Sequence, residues 1–286
     1  MKNIVIFVLW FVSFTYGKAQ VDGRNCAVYI DAAAGSVKLF LGSQQLPVSR
    51  VDEVATVPLN VVFLLDGAPH QEALMRMAKD YVARLAADLH VRQANYAVVL
   101  SGNSPYVVAQ GRTADELISQ LNKADQNTAA SEGNSEGLYN GASIAAGLLE
   151  HSTGNRALVV LSDDDDDIDK GRMNDLKSQL ARAHIRCFSI LLANRGFFGS
   201  KVRPAGGIHL NSLAKFSGGA QFETDWQNRK ADSCTLAKTV ERMRAGTLIS
   251  FELPEHTTTP AGTYSLKVQL SGNGRTLTST PFAISR

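Results

Sequence analysis

Two apolar runs in this sequence end on carboxylates. NVVFLLDGAPH (60–70) breaks at Asp66 into Gly67, Ala68 and Pro69, and NRALVVLSD (155–163) breaks at Asp163 into the acidic run DDDDDID (163–169). A carboxylate at the carboxyl end of a buried strand is where open α/β sheets place ligand chemistry. The acidic run is not an EF-hand, which needs Gly at its sixth position and Glu at its twelfth. Counted from Asp163 those positions are Ile168 and Asn174, and from Asp165 they are Lys170 and Leu176. The run reads as a solvated acidic loop that complements the dipole of a following helix, with loose surface Ca²⁺ binding as the alternative. The sequence holds no Gly-rich phosphate loop, no Gly-x-Ser-x-Gly elbow and no His-Glu-x-x-His helix, so the common hydrolytic constellations cannot be assembled. No CxxC or Cys/His cluster is present either, which argues against structural zinc.

Such carboxylates need a sheet to carry them. LNVVFLL (59–65) is a continuous apolar run, as expected of a central parallel strand covered on both faces. Leu74, Met77, Ala78, Tyr81, Val82, Leu85 and Leu89 follow at helical spacing. ANYAVVLSG (94–102) is a second strand. TADELISQLNKA (113–124) is a helix with Thr113 as N-cap and Glu116 three residues on, a capping box. A polar stretch precedes an Ala-rich helix over 138–151. Strands over 155–163, 185–193 and 220–224 then alternate with helices over 169–183, 208–219 and 235–246, the second of these stopped by Gly218 and Gly219. Alternation of this kind predicts an α/β fold with a doubly wound, mostly parallel, Rossmann-like sheet over 57–245. Residues 20–56 and 246–286 instead read as short strands and turns, with SGNGR (271–275) as a hairpin signal. These two β segments can pair into one discontinuous unit.

The first 19 residues read as a secretory signal peptide: a basic start at Lys2, an apolar run from Ile4 to Phe14, and small residues at Gly17 and Ala19. An uncleaved anchor is the alternative. Export to periplasm, surface or medium follows, with no membrane insertion after cleavage. The formal net charge of +2 and the absence of a long Lys/Arg cluster argue against a nucleic-acid footprint. Of three cysteines, Cys187 sits in a buried-strand pattern as an inert core thiol, while Cys26 and Cys234 lie near segment edges and are open to bridging or to remaining free.

Several pieces in order resemble von Willebrand factor type A domains of secreted bacterial proteins. They are VVFLLD (61–66), GLYNGASIAAGLL (137–149), RALVVLSDDDDD (156–167), LNSLAKFSGGAQFET (210–224) and VERMRAGTLISFELPE (240–255). The resemblance implies an adhesion site in which Asp-x-Ser-x-Ser, a Thr and a later Asp hold a hard divalent cation and leave a position for a partner's carboxylate. Asp66 matches the first Asp and Asp163 the last. Ala68 stands at the first Ser, His70 at the second, and Glu136, or Ser135 with a one-residue shift, at the Thr. With the neutral oxygen ligands largely gone, the site reads as degenerate. The first reading takes no cofactor, with Asp66 and Asp163 accepting N–H bonds at the helices that follow them. The alternative is a rebuilt site of Asp66, His70, Glu136 and Asp163 for Mg²⁺, Ca²⁺, Mn²⁺ or Zn²⁺.

The resemblance also implies protein binding without catalysis, through loops at the carboxyl ends of the strands. In one of them Phe197 and Phe198 stand among Gly, Arg and Lys, either as interface anchors or as a local plug. A structural cell-envelope scaffold shares this fold. A haloacid-dehalogenase-like hydrolase is a poorer alternative, since Ala68 occupies the place of its acid.

Overall fold

The computed structural model describes residues 25–66, 72–89, 94–102, 104–124, 137–162, 170–193, 206–225, 231–253, 260–270 and 275–284. The chain opens with four strands, β1 (Asn25–Ile30), β2 (Val37–Leu41), β3 (Gln44–Leu46) and β4 (Val48–Glu53). The α/β series runs β5 (Leu59–Leu65), α1 (Glu72–Asp88), β6 (Ala94–Leu100), β7 (Tyr106–Gly111), α2 (Ala114–Ala124), α3 (Gly137–Glu150) and β8 (Asn155–Ser162). It continues through α4 (Lys170–Arg182), β9 (Arg186–Ala193), α5 (Gly206–Ser217), β10 (Gln221–Asp225) and α6 (Ser233–Arg244). Five strands close the described chain: β11 (Thr247–Glu252), β12 (Gly262–Tyr264), β13 (Lys267–Leu270), β14 (Thr276–Thr278) and β15 (Phe282–Ile284).

The main sheet has the order β10-β9-β8-β5-β6-β7. All its pairs are parallel except β6–β7. Every residue of β5 is buried, which is why its sequence is apolar without alternation. Val61, Phe63 and Leu65 point into a layer formed by α1, α2 and α6, where Tyr81, Leu85, Leu117 and Met243 meet them. Val62 and Leu64 point the other way, into Leu138, Ala142, Leu176 and Leu213 of α3, α4 and α5. Among the described helices none is long and apolar enough to cross a membrane.

Strand β7 is the element that the sequence reading leaves out. It runs antiparallel at the sheet edge, with a bulge opposite Val98 and Val99. Helix α2 covers part of that edge: Gln120 accepts from the Gln110 backbone N–H at 2.9 Å and donates to the Gln110 carbonyl at 2.5 Å. The capping box that positions α2 is formed, Glu116 N–H donating to Thr113 Oγ1 at 3.2 Å and Thr113 N–H to Glu116 Oε2 at 3.3 Å.

Strands from the two ends of the chain pair with each other. β11 lies antiparallel between β1 and β4, β13 between β2 and β14, β3 pairs with β2, and β12 with β15. Their shared core contains Val28, Leu39, Ile249, Val268 and the edge-to-face pair Phe251–Phe282, with ring centroids 5.3 Å apart. The three cysteines are free thiols, so the open alternative of a Cys26–Cys234 bridge is resolved against it. Burial pushes the Cys187 thiol up to about 12, as an inert core residue requires.

Candidate functional site

Strand register builds the site. Leu65 is paired with Leu100 on one side and with Leu161 on the other. The next residue of each strand therefore falls in one row: Ser101, Asp66, Ser162. The ladder runs one step past the strand ends, with Asp66 N–H donating to the Leu161 carbonyl and Ser101 N–H to the Leu65 carbonyl, both at 2.9 Å. Above this row Ser101 Oγ donates to Asp66 Oδ1 at 3.0 Å, and Ser162 Oγ donates to Asp66 Oδ2 at 2.6 Å. The serines are 3% and 1% exposed, while Asp66 is half-buried. A buried hydroxyl needs a partner, and a carboxylate is the strongest acceptor available to it.

Helix α3 closes over this row. A Cβ at Gly137, the first residue of α3, would stand 2.9 Å from the Gly102 backbone nitrogen, and one at Gly141 would stand 2.7 Å from Leu64 Cδ1. The glycines let the start of α3 approach the strand ends next to Ser101.

Of the residues singled out in the sequence, Asp66 is placed at the centre of the row. Two of its hydrogen-bond partners are hydroxyls of the neighbouring strands. His70, Ser135, Glu136, Asp163, Phe197 and Phe198 lie outside the described residues. Among the described residues no group of three or more His, Cys, Asp or Glu side chains could hold a metal. The two serines are the site residues that sequence reasoning missed. A signal was present: VVLS occurs at 98–101 and again at 159–162, each time where VFLLD (62–66) has its carboxylate row.

The spacings of 3.0 and 2.6 Å are those of ordinary hydroxyl–carboxylate hydrogen bonds, and each serine serves a different carboxylate oxygen, so the row by itself marks no cation position.

No protein-family profile and no curated protein matches the chain. Solved structures similar to it include a von Willebrand factor type A protein from Catenulispora acidiphila, with 12% identity and a TM-score of 0.48 over 85% of this chain and 75% of that one. An ArnB paralog from Sulfolobus acidocaldarius shows 13% identity and a TM-score of 0.47 over 92% and 74%. An aerotolerance-related membrane protein from Bacteroides fragilis shows 13% identity and a TM-score of 0.46 over 64% and 99%. At such identities residue roles rest on this chain's own geometry. Its own sheet order, mostly parallel with helices on both faces, is that of an α/β Rossmann-like fold.

Proposed function

We propose that the protein is an exported, non-catalytic protein-binding module of the type A kind whose adhesion site has lost its metal dependence. The observation that carries this reading is the row Ser101–Asp66–Ser162, in which two buried hydroxyls of the fold donate to the central carboxylate and take up part of its acceptor capacity. Ala68 and His70, where the resemblance calls for Ser, support it. The partner then docks on the rim through the loops, with Phe197 and Phe198 as candidate anchors. The strands at the two chain ends form one discontinuous β unit at the opposite end of the main sheet from this rim.

A second reading keeps a divalent cation, held by Asp66 together with His70, Ser135 or Glu136, and Asp163, the oxygen and imidazole donors that the resemblance places there. Thermal unfolding of residues 20–286 in EDTA and then in Mg²⁺, Ca²⁺, Mn²⁺ or Zn²⁺ separates the two. A native-state ligand at about 100 times its Kd adds roughly 2.7 kcal/mol, a shift of a few degrees. The metal-independent reading expects no shift with any ion. A shift that Asp66→Ala abolishes overturns it in favour of the second.

A further inference from the structure

The amino ends of β8 and β9, opposite the rim, carry three basic side chains that the proposed function does not use. Two are arginines whose terminal N–H groups find carbonyl or amide acceptors, while the buried Nε of each has none. Arg186 donates to the Asn155 side chain and the Ala245 carbonyl at 3.1 Å each and to the Met243 carbonyl, and it lies 4.8 Å from the Tyr29 ring centroid. Arg156 donates to the Ala183 carbonyl at 2.6 Å. The third, His184, is held differently. It follows α4 with φ 52°, the left-handed backbone usually given to Gly at that position. Its Nε2 accepts the Ala27 N–H of β1 at 3.4 Å, so the neutral ring carries its proton on Nδ1. Nδ1 is buried and has no hydrogen-bond partner. Burial, and then the neighbouring Arg156 charge, push the imidazole down to about 3.

We propose that the His184–Ala27 contact is an acid-sensitive latch, which holds the start of β1 on the α/β layer and releases it locally when the imidazole gains a second proton. The added proton takes the Nε2 lone pair that receives Ala27 N–H, so two donors then face each other. The new charge sits beside Arg156. The other charged groups nearby offer no relief: Arg182 of α4 is a cation, Glu150 acts on Arg156, and Asp31 and Arg242 act on Arg186. On β1 the thiol of Cys26 is pushed up to about 11 by burial, and β15, which packs on α4, has no titratable side chain.

The release is confined to the strand start by what holds the next residues. Tyr29 N–H donates to Thr280 Oγ1 at 2.9 Å, Thr280 N–H donates to the Tyr29 carbonyl at 2.8 Å, and Tyr29 Oη accepts Arg156 N–H at 3.3 Å. Below pH of about 6.5 each unit of acidification raises the ratio of released to latched states by up to about tenfold.

The three free thiols report on this directly. Cys234 is exposed, Cys187 is fully buried in the α/β core, and Cys26 lies on the same strand end as Ala27 but faces the β core. The full chain is treated with 4,4′-dithiodipyridine, which reacts in acid, from pH 7 down to pH 3, and modified sites are read by mass spectrometry. The latch expects Cys234 to react throughout, Cys26 to accelerate by about tenfold per unit once the imidazole titrates, and Cys187 to stay protected in that window. His184→Asn, which tolerates the left-handed backbone and keeps an acceptor but cannot titrate, should hold Cys26 closed until Cys187 reacts. Simultaneous exposure of Cys26 and Cys187 in the unsubstituted protein overturns the proposal, as does an unchanged Cys26 profile in His184→Asn. Should that variant not fold, amide exchange decides: protection of Ala27 must fall with acid while that of Val62 holds, and parallel behaviour of the two overturns the latch.

Discussion

The hydroxyl–carboxylate row makes a measurable claim at single residues. Removing one buried hydroxyl from a charged partner costs about 1–3 kcal/mol. Ser162→Ala is expected to lose that much in urea unfolding, and to lose clearly less in an Asp66→Ala background, since the two share one interaction. Equal losses in both backgrounds would mean that Ser162 is held by packing instead. His184 sets a second expectation. Its folded value of about 3 lies below the ordinary 6.5, so folding favours the neutral ring. That contribution is complete above pH 6.5 and is lost as the pH falls from there toward 3, at about 1.4 kcal/mol per unit. Stability measured across this range should slope less in His184→Asn. Asp66 was legible in the sequence because a carboxylate interrupts an apolar run. Ser101 and Ser162 were not, because the repeated VVLS acquires a meaning only once register sets both serines beside the acid. Arg186 was hidden likewise, its acceptors lying 31 to 59 residues away.

At the level of elements, α3 offers paired tests. Gly137→Ala would place a Cβ 2.9 Å from the Gly102 nitrogen, and backbone cannot swing aside as a side-chain tip can. A loss of about 1–3 kcal/mol is expected, with the start of α3 pushed from the rim. Gly147 lies inside the same helix with nothing within 4 Å of an added Cβ. Gly147→Ala should therefore gain about 0.5–1 kcal/mol from helix propensity alone. Thermal unfolding of both variants checks the contrast, and a shared sign would break it. The helices were readable because each buries one face at a fixed period, and α2 because its capping box is local. β7 escaped because only one face of an edge strand is covered, leaving Tyr106 and Val107 exposed in a short, bulged segment without a buried period. Its backbone is satisfied in part by Gln120, a side chain on another element.

For the whole molecule, α/β alternation was legible because it is written in successive elements. The docking of the end strands on the sheet was not, since it depends on contacts between residues far apart in the chain, such as Tyr29 with Thr280 and Ala27 with His184. Phe197→Ala with Phe198→Ala gives an expectation at this scale. If the pair anchors a partner, the melting temperature stays nearly unchanged, and a drop of several degrees would assign the rings to packing.

The end strands meet the main sheet at the amino ends of β8 and β9, whereas the Asp66 row sits at the carboxyl ends. A seven-residue strand such as β5 separates them by about 23 Å. A pull between a partner seated on the rim and the termini would therefore run along the strands. Their ladders would be loaded in shear, many bonds together, and not peeled one at a time. Under tension the three-residue ladders of β12 with β15 and β13 with β14 should part before the seven-residue ladders of β5, making them the mechanical fuse of the molecule.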